Sequence, residues 1–119
     1  MNADIIKIDA PSSVPASEQV IVDVSVKNIS ASDQYIAVTA VYDSTSFPFQ
    51  FDYLLVSSGQ TVVFRGVFAM PSENVRVTAW SWSWDGSNWV QDDQMTKDIA
   101  LAVLSPQISE FQILDFSKV

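Results

Sequence analysis

The sequence contains no cysteine and no histidine. Without cysteine there are no disulfides, thiol nucleophiles or zinc-thiolate sites, although no compartment follows, because many extracellular proteins of prokaryotes and viruses also lack it. The absence of histidine removes Ser-His-Asp and Cys-His machinery, imidazole metal ligands and any side chain that ordinarily titrates near neutrality. Basic residues are scarce, 6 against 14 acidic ones, and the resulting net charge of -8 repels phosphate backbones and anionic membranes. Nucleic acid is therefore not an expected partner. No apolar run is long enough to cross a bilayer as a helix, so membrane insertion is not expected either. The start, M-N-A-D-I-I-K-I-D, lacks the basic and apolar regions of a signal peptide. Carboxylates remain as acid-base groups, but nothing in the sequence sets two of them across a cleft. Asp92 and Asp93, with Asp43, Asp52, Asp85 or Asp98, are hard-cation donors in type, yet no spacing matches an EF-hand loop, and they read as solvated loop residues. A non-enzymatic chain without cofactor or metal is expected.

What is present is β structure. The 119 residues are 48% hydrophobic and 17% charged, a composition that closes one core. Val20, Val22, Val24 and Val26 alternate with Ile21, Asp23, Ser25 and Lys27, as in a half-buried strand. Tyr35 to Tyr42 is apolar on both faces, which suits a central strand. Before them, Asp4 to Ile8 is a short strand ended by a segment with Pro11 and Pro15 that crosses a sheet edge. Phe47, Phe49, Phe51, Tyr53 and Leu55 alternate on one face of a further strand, with Pro48 marking an edge, and this row reads as core or interface. Strands over Thr61 to Met70 and Val75 to Trp84 follow, and Trp89 to Val103 carries a bulge or break at Asp92-Asp93-Gln94.

All 4 tryptophans fall in Thr78 to Trp89. Trp80, Trp82 and Trp84 project from one face, with Ala79, Ser81 and Ser83 on the other. Asp85-Gly86-Ser87-Asn88 turns the chain and places Trp84 opposite Trp89. Because the same strand gives Val75, Val77 and Ala79 to the core, the tryptophan row belongs to the opposite face unless a bulge reverses the register. That row suits either packing against a strand, loop or subunit, or stacking on a sugar with Asp85, Asn88, Gln91 and Asp92 as polar partners.

About seven strands with turn signals every roughly eight to twelve residues predict an antiparallel β-sandwich. The order V-x-V-x-V-x-V-K-N, G-Q-T-V-V-F-x-x-x-F-x-M-P, V-x-V-x-A-W-S-W and D-D-x-x-x-K-x-I-x-L resembles immunoglobulin-like domains of the prokaryotic cell-adhesion-related (CARDB-like) type, over about Asp4 to Val103. The resemblance implies a seven-stranded sandwich without catalytic residues, usually repeated in surface or secreted proteins.

The expected organisation is a sandwich over residues 1–104 and an extension over 105–119. In the extension Ile108, Phe111, Ile113 and Phe116 suit an extra edge strand packed on its own domain, or an arm that adds to a neighbouring subunit's sheet. The functional expectation is a structural or interaction module whose partner is a second copy or a particle's shell protein. A virion decoration or assembly protein released by lysis leads, and it places the chain on a virion or an extracellular surface. A domain of a larger cell-surface adhesion protein and a glycan-binding module are the alternatives.

Overall fold

The computed structural model describes residues 1–103. The extension with Ile108, Phe111, Ile113 and Phe116 lies outside the described residues. The described strands are β1 (Ala3–Asp9), β2 (Ser13–Pro15), β3 (Gln19–Asn28), β4 (Gln34–Tyr42), β5 (Thr45–Ser46), β6 (Leu54–Val56), β7 (Thr61–Ala69), β8 (Val75–Trp84) and β9 (Trp89–Ala102). They form an all-β sandwich. One sheet has the order β1-β3-β7, and the other β2-β9-β8-β4-β5, with β6 also pairing β4. Three of these strands are two or three residues long, so the long ones are fewer than the expected seven. Pairing is antiparallel except for β2, which runs parallel to the end of β9.

The valine alternation of β3 packs as its period demands: Val20, Val22, Val24 and Val26 are fully buried. They meet Ile36, Val38 and Ala40 of β4 and Val75, Val77 and Ala79 of β8 in one core. On the outer side Asp23 and Arg65 form a two-bond ion pair, with both N···O distances 2.9 Å. Pro11 and Pro15 carry the chain across as expected, since β1 lies in one sheet and β2 in the other.

The Phe47 to Leu55 segment departs from the expected single strand. Only Thr45–Ser46 and Leu54–Val56 pair with β4, and the chain between them runs along the β7 edge. There the Gln50 amide donates to Arg65 O at 2.8 Å. Pro48 has no amide to give a ladder, which breaks the strand and splits the aromatic row. Phe47 is buried against Tyr42 and Phe68, whereas Phe51, Tyr53 and Leu55 are exposed. Gly66 makes the inward turn possible, because a Cβ there would stand 2.7 Å from the Phe47 ring and 2.9 Å from the Phe49 ring.

The two sheets are tied at one end by a bulge in β9. Ser81 pairs with Asp93 but Trp82 pairs with Gln91, so Asp92 is the extra residue and lies where a bulge or break was expected. The bulge turns both neighbouring carboxylates toward β1. Asp92 accepts from the Ala3 amide and Asp93 from the Ile5 amide, each at 2.9 Å. Amides two residues apart point to the same side of a strand, so the pair caps the edge of β1 that has no strand neighbour among the described residues. Ser81 Oγ completes the joint by donating to Ala3 O at 2.6 Å and accepting from the Asp93 amide at 3.1 Å. Asp4 beside them has its carboxyl raised, first by burial and then by a hydrogen bond with Asp93 and that residue's charge, with Lys27 opposing.

Ala3 is fully buried, so Asp92→Ala leaves its amide unpaired and costs about 1–3 kcal/mol in urea unfolding, while Asp92→Asn keeps an acceptor and recovers part of the loss. A change within about 0.5 kcal/mol for the alanine variant, the range of an ordinary surface site, contradicts the clamp.

Candidate functional site

The bulge lies in β9, so the alternation of β8 is unbroken and the tryptophans take the face opposite the core, as expected. Ser81 and Ser83 continue the inner face and are buried, Ser83 accepting from the Asn2 side chain at 3.3 Å. Trp84 pairs with Trp89 across the hairpin, with ring centroids 5.4 Å apart and planes at 63°. The loop between them is held by its first residue. Asp85 Oδ1 accepts from the amides of Ser87 at 2.8 Å and Asn88 at 2.7 Å, and Gly86 takes φ +101°.

Two tyrosines join this pair. Ile36 of β4 pairs with Ser83, so the preceding Tyr35 stands beside Trp84. Tyr53, just before β6, meets Tyr35 edge-on at 5.7 Å and 84°, and meets Trp89 at 6.1 Å and 49°. Tyr35, Tyr53, Trp84 and Trp89 together line a cavity of about 270 Å³. Their exposures, 45%, 54%, 36% and 39%, show that the rings face solvent rather than the core. Beside it a second hollow of about 370 Å³ is lined by Thr39, Asp52, Tyr53, Trp82 and Trp89 among others. Trp82 Nε1 donates to Thr39 Oγ1 at 2.9 Å, which ties that indole to β4. Trp80 lines a further hollow with Phe49, Phe51 and Asp52.

The expected site is therefore gathered in part. Trp84 and Trp89 form its centre, Trp82 flanks it, and Trp80 belongs to the neighbouring hollow. Asp85 closes the loop through its Oδ1, which accepts from the Asn88 amide, while the Asp85 amide donates to Asn88 O. Asp92 corrects the expectation of a polar partner beside the tryptophans, because the bulge turns it to β1 on the opposite face. Tyr35 and Tyr53 were not foreseen. Tyr35 is readable from the alternation of β4, but Tyr53 sits in the segment that was read as a regular strand. Among the described residues no group of three or more His, Cys, Asp or Glu is placed to hold a metal ion. Asp43 receives the Arg76 amide, and Asp98 pairs with the Arg76 guanidinium at 2.7 Å.

No family model and no curated protein matches this sequence. Solved structures do match its fold. The CARDB domain of the PF1109 protein from Pyrococcus furiosus, solved in complex with di-metal ions, aligns with a TM-score of 0.65 at 16% identity, over 85% of this chain and 90% of that one. The fold is an immunoglobulin-like sandwich of the CARDB-like type. Escherichia coli alpha-2-macroglobulin in its native conformation contains a similar unit, with a TM-score of 0.62 at 14% identity over 85% of this chain and 7% of that one. A fragment of the same protein from domain MG7 to the C-terminus aligns at 0.62 and 14% over 86% of this chain and 17% of that one. The chain thus spans nearly all of one neighbour and a small part of the macroglobulin structures.

Hydrogen bonds from the Asn88 amide first, and then from Ser87, hold the Asp85 carboxyl below the usual carboxylate range. A depressed folded value contributes stability above the unfolded value, and it is lost as pH falls through the folded one. Near-ultraviolet circular dichroism of the Trp84–Trp89 pair is expected to weaken on acidification below the usual carboxylate range, and Asp85→Ala to show the weakened signal already at neutral pH. A signal that is the same in wild type and variant at neutral pH contradicts this role of the loop.

Proposed function

We propose that the chain is a non-catalytic interaction module and that the aromatic tip is its contact surface. The observation that carries this reading is four large rings, each at least 36% exposed, gathered in one cavity on the outer face of a sheet whose inner face already closes the core. Exposed aromatic clusters of this kind mark binding surfaces, since Tyr and Trp lose little side-chain freedom on contact. The fold neighbours are immunoglobulin-like units, one of them a CARDB domain, and this agrees with an interaction role.

For the setting, an assembly such as a virion shell or a cell-surface array is proposed. Its support is the acidic composition, which favours a soluble subunit, together with the ring cluster. A glycan partner has less support. A sugar needs hydroxyl partners around its stacking platform, and here Asp85 Oδ1 already accepts two loop amides and the Trp82 indole donates to Thr39.

A photo-reactive amino acid placed at Trp84 tests this in the producing cell, with Val63, exposed on the outer face of the other sheet, as the control position. A defined cross-linked protein from position 84, identified by mass spectrometry as a second copy or a shell protein and missing from position 63, is expected. Cross-links from 63 alone, or from neither position, contradict the reading.

A further inference from the structure

The four-ring cavity has a geometry that selects a ligand class. We propose that Tyr35, Tyr53, Trp84 and Trp89 form a cage for a quaternary ammonium group. The inference rests on the reading of the tip as a contact surface and names the chemistry it recognises.

The rings are walls rather than a flat shelf. Tyr35 and Tyr53 stand at 84° and Trp84 and Trp89 at 63°, so ring faces at steep angles to one another line an open hollow. A sugar face stacks on a flat platform, whereas a compact cation is held by several ring faces at once within about 6 Å of their centroids. Neighbouring centroids 5.4–6.1 Å apart put more than one ring within reach of a single small cation.

The lining also discriminates among cations. Among the described residues it consists of these four aromatic side chains, with no carboxylate among them. A primary ammonium or a guanidinium seated there gives up part of its hydration for ring faces that offer its N–H groups few acceptors, and donors left unmatched are costly. A quaternary ammonium has no N–H to satisfy. Long-range charge favours it as well. The net charge of -8 attracts cations, Asp52 lines the adjacent hollow, and no Lys or Arg among the described residues lines either cavity. Arg65 and Arg76 are engaged with Asp23 and Asp98.

Choline and a short peptide carrying trimethyllysine are the two probes, because the same group is found on small molecules and on proteins. Each is titrated at constant ionic strength against the whole protein, with tryptophan emission and calorimetry as readouts. The comparison compound is the neutral isostere of choline, in which a tert-butyl group replaces trimethylammonium. Saturable binding of either probe, with the isostere about tenfold weaker, is expected. Trp84→Ala and Tyr53→Ala weaken binding by a similar factor while far-ultraviolet circular dichroism is unchanged, and Ile21→Ala on the other sheet leaves it unaltered. Binding of choline alone assigns a small-molecule source, and binding of the peptide alone assigns a modified protein partner; both outcomes support the cage. It is overturned if the isostere binds as tightly as choline, if Trp84→Ala binds as well as wild type, or if neither probe binds. Cross-linking at position 84 that persists after such a failure removes the cage and leaves the contact surface standing.

Discussion

Two carboxylates on adjacent residues determine how this sandwich closes. A regular strand sends neighbouring side chains to opposite faces, so Asp92 and Asp93 could not both reach β1 from an unbulged β9. With Asp92 as the extra residue they accept from Ala3 and Ile5, amides that would otherwise line a bare sheet edge. Charge-assisted bonds to buried amides are among the stronger protein hydrogen bonds, and here they bridge the two sheets. The buried serines belong to the same joint. Ser81 bonds Ala3 O, so a polar inner face is satisfied where a valine would leave that carbonyl without this partner.

The clamp also frees the outer face. Because the polar needs of β1 are met by inner-face groups of β8 and β9, the outer positions of the same hairpin carry no structural duty at the tip. They hold Trp84 and Trp89, with Tyr35 and Tyr53 added from the neighbouring strand and loop. The loop is rigid for its length, since one aspartate accepts two amides and one glycine takes the left-handed conformation. A rigid support limits the entropy that the rings lose when they meet a ligand or another subunit.

The alternations of β3 and β8 were legible because each has one buried face, and a period of two then leaves a single solution. The Trp84–Trp89 pairing followed from the length of the Asp85 to Asn88 loop, and the bulge from three polar residues within a long strand. What escaped was set by tertiary contacts. Phe47, Phe49, Phe51 and Tyr53 have the spacing of one strand face, yet Pro48 cannot extend a ladder, and the side-chain-free surface of Gly66 draws Phe47 and Phe49 inward. Phe51 and Tyr53 are left outside, and without that break Tyr53 could not be placed beside the tryptophans. Asn28 escaped in the same way. It ends β3 in the sequence pattern, but its fully buried amide bonds Ser32 O and Val56 O and so ties two loops together, a role that no local spacing encodes.

Amide hydrogen exchange at Ala3 and Ile5 is the most direct measurement of the clamp on which this arrangement depends. Among the described residues both amides face a side of β1 that has no neighbouring strand, and the carboxylates are their hydrogen-bond partners. Protection comparable to that of β3 amides in the core is the predicted result. Exchange at the rate of an amide with no hydrogen-bond partner would contradict it.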